Sequence, residues 1–188
     1  MKSMTKRLLA ALLAVAALFA LVGCSKSDKA DAAPKDYTKI LHDARPDEDN
    51  EYYMIFSPGE DGKFTAQYGY SDSYDAAQLD EEIRNMLLPL LSLEEDMYTA
   101  FAASVSGMMV QSYGIAIVKP AEGKQQAVSE ALDAYVQSQM QSMEHYLEDQ
   151  YQIAASSHIS TAPTGEVILV CCENPEAVMN AIKTALAA

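Results

Sequence analysis

The stretch EGKQQAVSEALDAYVQSQMQSMEHYL, residues 122–147, decides the fold of this chain. Its large apolar residues recur every three or four positions, as they do along one side of a helix. They are Val128, Leu132, Tyr135, Val136, Met140, Met143 and Leu147. The opposite side is mostly Gln, Ser and acidic residues. At 1.5 Å per residue, a helix of this length would be about 39 Å long. We therefore predict a long amphipathic helix with one buried side.

The segments on both sides of this helix have the pattern of strands joined by turns. Residues 97–118, MYTAFAASVSGMMVQSYGIAIV, carry no charge, and SVSGMMV within them is typical of a turn between two buried strands. The length also suits a membrane span, but polar residues and two glycines interrupt it. Residues 158–172, HISTAPTGEVILVCC, predict a strand, a turn at Pro163–Gly165 and a second strand. Asn174 as N-cap and Pro175 at the first position predict a closing helix.

The chain before residue 97 is less regular. Residues 37–75 are rich in tyrosine and acid, and two short strands are predicted at about 52–56 and 63–70. Residues 76–91, AAQLDEEIRNMLLPLL, have helical spacing, and Pro89 is expected to distort the last turn. SLEE, at 92–95, has the pattern of a capping box and predicts another helical turn. Together the elements predict an α+β fold, an antiparallel sheet packed by the long helix and a C-terminal helix.

The first 23 residues have the three parts of an export signal. Three basic residues precede an apolar run of fifteen, from Leu8 to Val22, which is short for a membrane-spanning helix. The run ends in LVGC, residues 21–24, a pattern that resembles the bacterial lipobox. That resemblance implies cleavage before Cys24 and a diacylglyceryl group on its sulfur. A plain secreted protein and an uncleaved anchor are the alternatives. We therefore expect a membrane-anchored lipoprotein on the extracytoplasmic face of the cell membrane.

The predicted organisation is a signal peptide at 1–23, a flexible polar tether at 24–36 and a single α+β domain at 37–188. Without its signal peptide the chain keeps ten Lys and Arg against 27 Asp and Glu, a net charge near −17. This acidity argues against nucleic acid as a partner, because no basic patch is present to neutralise phosphates. It favours a cationic envelope protein or ligand. The lysines near Cys24 could be drawn to anionic lipid headgroups.

Three segments resemble the bacterial lipoproteins of domain-of-unknown-function family 4358. They are YGIAIVKPAEGK at 113–124, YVQSQMQSMEHYLEDQ at 135–150 and TGEVILVCCENPEAV at 164–178. The shared pattern is a strand ending in a lysine, here Lys119, a long amphipathic helix, a turn near Tyr146 and a hydrophobic strand. The resemblance covers about residues 79–187. It implies an exported lipoprotein, and it brings no activity or functional residue with it.

Candidate metal and thiol sites are weak. His42, His145 and His158 are far apart in sequence and form no two-histidine helical pair. DEDNE, at 47–51, alternates acids as a calcium loop does, but Tyr52 stands at position six, where that loop needs glycine. We expect a solvated acidic turn there, with weak cation binding as the alternative. Cys171 and Cys172 are adjacent on a predicted strand and should point to opposite faces as small hydrophobic residues, with a redox or metal role as the alternative.

Candidate catalytic groups are also scattered. No G-x-S-x-G elbow surrounds a serine, and Ser106 and Ser160 are interpreted as turn and strand residues. Glu94, Glu95 and Asp96 could do acid–base chemistry, but acids also favour a helix start. Eleven tyrosines leave carbohydrate binding open, although the chain has no tryptophan. We therefore predict no catalytic residue, metal or cofactor site, and Cys24 as the lipidation site. The expected function is a non-catalytic binding module, and a small lipid-anchored hydrolase is the alternative.

Overall fold

The computed structural model describes residues 35–188. The predicted signal peptide, Cys24 and the tether as far as Pro34 lie outside the described residues. The strands are β1 (Ile55–Pro58), β2 (Phe64–Gln67), β3 (Tyr98–Val105), β4 (Gly114–Pro120), β5 (His158–Thr161) and β6 (Val167–Cys171). The α-helices are α1 (Tyr37–Ala44), α2 (Asp47–Tyr52), α3 (Ala76–Glu82), α4 (Gln125–Met143), α5 (Glu148–Ala155) and α6 (Pro175–Ala187).

The strands form one antiparallel sheet in the order β2-β1-β3-β4-β6-β5. Three hairpins supply it: β1 with β2, β3 with β4, and β5 with β6. The central β3–β4 hairpin runs from the Val105–Gly114 pair to the Tyr98–Pro120 pair. The predicted turn around SVSGMMV thus connects two strands, and the hairpin interpretation of this uncharged stretch is confirmed. The predicted α+β fold is confirmed as well.

The sheet is covered on both faces because its central strands alternate between two apolar cores. Ala116, Val118 and Leu169 belong to the core beneath α4, together with Leu132 of that helix. Ile115, Ile117 and Val170 belong to the core beneath α1 and α6. Successive side chains of a strand point to opposite faces, so a strand buried on both faces is a continuous apolar run. This explains why the central strands contain so few polar residues.

The long helix is present but shorter than predicted. It spans Gln125–Met143, and its buried residues are Val128, Ala131, Leu132, Tyr135, Val136 and Met143. The chain then turns and forms α5, which the sequence interpretation missed. The C-terminal helix begins where predicted, with Pro175 in its first turn, although the Asn174 side chain makes no capping hydrogen bond.

Several expectations for residues 36–97 were wrong. The first part of the chain forms α1 and α2, which the prediction omitted, and the two short strands are offset from their predicted limits. The Asp36 side chain caps α1 by accepting from the backbone N–H of Lys39. The SLEE segment starts no helix, because Ser92 has φ 52° and ends the preceding 3₁₀ turn in the left-handed conformation. Among residues 35–188, no helix is both long enough and apolar enough to cross a membrane.

Candidate functional site

A cleft of about 1110 Å³ opens at one end of the sheet, where β3 ends, β4 begins and β6 ends. The loop between β3 and β4, residues 106–113, forms one wall. Other walls come from α2, from the 3₁₀ turn Gly69–Ser73 and from the chain that follows α3. Gln150 and Ile153 of α5, the residues Cys172–Asn174 between β6 and α6, and Val178 of α6 complete the lining. The cleft therefore gathers segments that are far apart in sequence.

Exposed apolar side chains concentrate at this cleft. Eight large hydrophobic side chains are exposed in the described part of the chain, and six of them line it. The six are Tyr52, Tyr70, Met86, Leu90, Met108 and Met109. Met109, in the β3–β4 loop, is 89% exposed. Contiguous exposed apolar surface is uncommon on a soluble domain and marks an interaction site more often than chance exposure does.

A change of helical period brings two of these side chains to the cleft. After α3 the chain forms a π turn at Ile83–Leu87 and then a 3₁₀ turn at Leu88–Leu91. The N–H of Leu88 bonds to the carbonyl of Ile83, five residues back. Ile83 and Leu87 remain in the core, whereas Met86 and Leu90 face outward. The helical spacing of residues 76–91 predicted these side chains on one helix, with Pro89 distorting its last turn. The π turn changes that placement, and such turns are frequent at functional sites.

Two stacked tyrosines lie between the cleft and the core. The rings of Tyr53 and Tyr113 are nearly parallel, with centroids 3.8 Å apart, and both residues line the cleft. Behind them, the buried Arg45 guanidinium donates to the Tyr113 hydroxyl at 3.2 Å and to the Tyr53 carbonyl at 2.6 Å. It also donates to the Ser104 hydroxyl at 2.7 Å. A planar guanidinium can satisfy several acceptors at fixed angles, so Arg45 fixes this stack.

The charged groups of the cleft have one sign. Its ionisable acids are Glu48, Asp49, Glu82 and Glu173, and its described lining contains no Lys, Arg or His. Burial raises the pKa of Asp49, although the charge of Arg45 opposes this effect. Burial and the nearby Asp49 also raise the pKa of the Tyr53 phenol to about 12. At neutral pH the Tyr53 phenol is therefore uncharged, and the carboxylates give the cleft a negative potential.

Two buried polar atoms of the cleft have no hydrogen-bond partner. They are the Ser112 hydroxyl oxygen and Gln111 Oε1, and they are the unpartnered buried side-chain atoms among residues 35–188. Ser112 is 2% exposed, and its backbone N–H donates to Gln150 Oε1 at 2.9 Å. Buried polar groups in native proteins are nearly always paired, so each exception needs an explanation. Both exceptions here lie where a bound molecule could supply the missing partner.

None of the histidines singled out in the sequence lines the cleft. His42 contacts Asp43 at 2.9 Å and lies against the Tyr68 ring. The His145 side chain is 89% exposed in the turn after α4, and His158 begins the edge strand β5. The structure therefore does not bring a histidine together with the serines or the thiol of the cleft.

The two acidic segments singled out in the sequence, residues 47–51 and 94–96, do not adopt the structures predicted for them. DEDNE was predicted as a solvated turn, but it is helix α2, with three acids in its first turn, where the helix dipole favours negative charge. Of these acids, Glu48 and Asp49 line the cleft. Glu95 and Asp96 instead form surface ion pairs with Arg84 and Lys124. No group of three potential metal ligands occurs within residues 35–188.

The two described cysteines point to opposite faces, as predicted. Cys171 belongs to the core under α4 and Cys172 to the core under α6, and both are free thiols. Cys172 also contributes to the cleft lining, and burial raises the pKa of its thiol to about 11. The thiolate is the nucleophilic form of cysteine, so this thiol is a poor nucleophile near neutral pH.

The sequence interpretation missed the residues that give the cleft its character. Tyr52, Tyr53 and Met86 come from different elements, and no periodic pattern connects them. The one available signal was the pair Met108–Met109 in a predicted turn, because two adjacent methionines in an exposed turn have no packing role there. The buried Arg45 was missed because a single arginine beside a proline looks like an ordinary surface residue.

Comparison with known sequences places this domain in a family. The sequence model of a family described as "Domain of unknown function (DUF4358)" matches residues 71–172. The match includes the π turn, the central hairpin, α4 and the last strand, but not α1, α2 or α6. No curated protein and no solved structure matches the chain. Because the matched residues are more than half of the chain, this protein belongs to the DUF4358 family.

Proposed function

We propose that this protein is a lipoprotein anchored to the extracytoplasmic face of the cell membrane through Cys24, and that its domain binds a partner through the cleft without catalysis. The lipobox pattern LVGC after an apolar run supports the anchor. Two acyl chains give stable membrane attachment, whereas one alone is marginal. The tether that follows Cys24 is polar and short of large apolar residues, which suits a segment between a membrane and a domain.

The gathering of six exposed apolar side chains on one cleft carries the binding part of the proposal. Such a surface costs solubility unless a partner covers it for part of the time. Tyrosine and methionine, which dominate here, are both enriched at protein interfaces. The unpartnered Ser112 hydroxyl adds a polar contact that an occupant could complete.

The chemistry of the cleft favours binding over hydrolysis. Nucleophilic hydrolysis needs a serine or cysteine next to a base that an acid orients. The Ser112 hydroxyl has no hydrogen-bond partner, and the Cys172 thiol is protonated near neutral pH. Within the described lining no histidine is present to act as a base. The hydrolase alternative therefore has no assembled set of groups among the described residues of this cleft.

The anchor is tested by detergent partitioning of the wild type and a Cys24→Ala variant. We expect the wild type in the detergent phase, and the variant either released or retained as an uncleaved precursor. If both forms are cleaved and partition equally, Cys24 is not the anchor.

The binding role is tested by photo-crosslinking in cells. A photoreactive amino acid replaces Tyr52, which lines the cleft, and in a matched strain it replaces Tyr146, which is 78% exposed and outside the cleft. We expect a covalent adduct of defined mass from position 52 and none of that mass from position 146. No adduct from position 52, together with turnover of ester or peptide substrates by the purified protein, would support the hydrolase alternative instead.

A further inference from the structure

We propose that the occupant of the cleft is a basic, amphipathic segment of a partner protein, which places its apolar side chains on the tyrosine and methionine wall and its Lys or Arg side chains on the carboxylates. This inference rests on the proposed binding function and specifies what that function recognises. Four observations carry it: the sign of the charge, the type of apolar side chain, the unpartnered polar atoms and the size of the cleft.

The charge of the cleft selects for a cation. Its four acids come from three separate parts of the chain: Glu48 and Asp49 from α2, Glu82 from α3 and Glu173 from the segment before α6. The nearest buried cation, Arg45, is occupied by hydrogen bonds to Ser104, Asn50 and the two stacked tyrosines. Acids from separate elements that converge on one concave surface repel anionic ligands. They also raise the association rate of cationic ones.

The apolar wall suits a segment with an apolar side. Met86, Met108 and Met109 are all more than half exposed, and the unbranched methionine side chain adapts to the shape of a partner. Methionine-rich surfaces of this kind bind varied amphipathic helices, and basic amphipathic helices are typical ligands of acidic, methionine-rich grooves. The tyrosine rings add faces on which Lys or Arg can lie in cation–π contact. An apolar wall within an acidic lining therefore matches a segment that is apolar on one side and basic on the other.

The unpartnered atoms indicate a donor on the ligand. Gln111 Oε1 can only accept a hydrogen bond, and the Ser112 hydroxyl can accept as well as donate. Lys and Arg side chains are donors without acceptor capacity, so they satisfy both atoms. A carboxylate side chain has no donor for Gln111 Oε1 and would bring a negative charge towards Asp49 and Glu173.

The size of the cleft favours a polypeptide over a small cation. Sites for small molecules usually have volumes of about 300–1,000 Å³. The volume here, about 1110 Å³, lies just above that range. A single quaternary ammonium or a short diamine would leave most of the apolar wall uncovered. A peptide segment with several side chains could cover Tyr52, Tyr70 and the three methionines together.

The experiment measures binding of labelled peptides by fluorescence anisotropy. The protein is the chain from residue 24 onward with Cys24→Ser, which contains every residue that the structure describes and carries no lipid. One peptide has Leu on one helical side and Lys on the other, a second has Glu in place of Lys, and a third has the Leu and Lys of the first in an order without a helical side. We expect the first to bind at least about tenfold more tightly than the other two, with an affinity that falls as salt rises.

Matched variants locate the binding surface. Tyr52→Ser and Met109→Ser, in the cleft, should each weaken binding of the basic amphipathic peptide about fivefold or more. Their control is Tyr146→Ser, which replaces an exposed apolar residue outside the cleft lining and should change the affinity less than about twofold.

A second pair of variants tests the charges. Glu48→Gln with Glu173→Gln removes two charges from the cleft and should weaken binding and reduce its dependence on salt. Glu60→Gln with Glu122→Gln removes two exposed charges beyond the opposite ends of β1 and β4 and is the control for net charge. Equal effects of the two pairs would show that net charge, and not the cleft, attracts the peptide, and would overturn the proposal.

Failure of this inference can be separated from failure of the proposed function. If the adduct at position 52 forms in cells but the purified protein prefers the acidic peptide, or binds tetraethylammonium in place of any peptide, the ligand class is wrong and the binding role stands. If position 52 gives no adduct and the purified protein with Tyr52 intact binds none of the three peptides, the binding role itself is wrong. Preference for the basic amphipathic peptide, lost in Tyr52→Ser and kept in Tyr146→Ser, supports the inference.

Discussion

The hydroxyl of Tyr135 donates a hydrogen bond to the backbone carbonyl of Tyr113 across 2.7 Å, and the Tyr135 ring lies directly over Gly114. A Cβ atom on Gly114 would be 2.6 Å from the Tyr135 ring and hydroxyl. The hydrogen bond thus fixes the long helix to the last residue of the loop that forms one wall of the cleft, and the ring packs on the first residue of β4. Glycine is required here by the close approach of the Tyr135 side chain and not by the backbone conformation, because the φ of Gly114 is not positive.

Gly114→Ala should lower the free energy of unfolding by about 1–3 kcal/mol, because the added methyl group forces the Tyr135 ring to move within a packed core. Urea unfolding measures this change. A double-mutant cycle with Tyr135→Leu is the control, because leucine is shorter and leaves room for the methyl group. An equal penalty in both backgrounds would show that Tyr135 is not what excludes a side chain at position 114.

Leu132→Ala tests the packing of the core beneath α4. Leu132 is fully buried beneath the sheet, and removing its side-chain atoms should cost about 2–5 kcal/mol of unfolding free energy. Gln137→Ala, on the exposed side of the same helix, should change it by less than about 0.5 kcal/mol. Comparable effects at the two positions would contradict the observed orientation of the helix.

The buried face of α4 could be predicted because its residues follow a period that the sequence displays directly. Val128, Leu132 and Val136 recur every four positions, and all three are buried in the structure. The central strands were also recognisable, because a sheet buried on both faces needs continuous apolar runs such as VILV at 167–170. In both cases one physical requirement, burial, decides the structure and the sequence pattern alike.

The cleft could not be predicted in the same way. Its residues lie in loops and short turns that meet only when the sheet has formed, and Met86 points outward because a π turn breaks the helical period. The SLEE segment shows the opposite error, a helix start that was predicted but does not form. Its sequence has the capping-box pattern, but Ser92 adopts the left-handed conformation and Leu93 is buried in the segment that leads into β3. Tertiary packing overrode a local preference of about 1 kcal/mol.

Glu166 should make the stability of the protein depend on pH. It is 3% exposed and accepts hydrogen bonds from Tyr37 at 2.9 Å and from Thr164, and Lys119 lies 3.3 Å away. Burial alone would raise the pKa of Glu166, but these hydrogen bonds and the lysine charge outweigh it, and the pKa is lowered. A carboxyl group with a lowered pKa in the folded state stabilises the protein above its unfolded pKa.

This contribution should therefore be complete at neutral pH and be lost as the pH falls from the ordinary glutamate range through the lowered value. Glu166→Gln should cost about 1–3 kcal/mol at pH 7, because it leaves buried donors poorly paired. The difference between the wild type and the variant should shrink in acid. Urea unfolding of both proteins at a series of pH values measures it, and a difference independent of pH would rule out the carboxylate as its cause.

The two buried cysteines should remain thiols. They point into different cores, and burial raises the pKa of each thiol, that of Cys172 to about 11. Native protein should therefore react slowly with a thiol reagent at pH 8, and unfolded protein should react fast at both positions. Mass spectrometry under non-reducing conditions should show no loss of two hydrogens in the peptide that contains both residues. Such a loss would restore a redox role.

Arg45 is the residue on which the inner side of the cleft depends. It is 5% exposed, and its guanidinium contacts the Tyr53 carbonyl, the Tyr113 hydroxyl and the Ser104 hydroxyl at the same time. Lysine keeps the charge but cannot reach all of these acceptors from one ammonium group. Arg45→Lys should therefore lower the free energy of unfolding by about 1–3 kcal/mol, as expected when buried polar groups lose a partner.

The same variant should loosen the stack of Tyr53 and Tyr113, whose centroids are 3.8 Å apart. Near-ultraviolet circular dichroism in the tyrosine band should therefore weaken under conditions where the protein remains folded. This band can be observed directly, because the chain has no tryptophan to mask it. Lys63→Arg is the control, since Lys63 is exposed and its replacement should change the free energy of unfolding by less than about 0.5 kcal/mol. If Arg45→Lys is as mild as Lys63→Arg and leaves the tyrosine signal unchanged, Arg45 does not fix the stack.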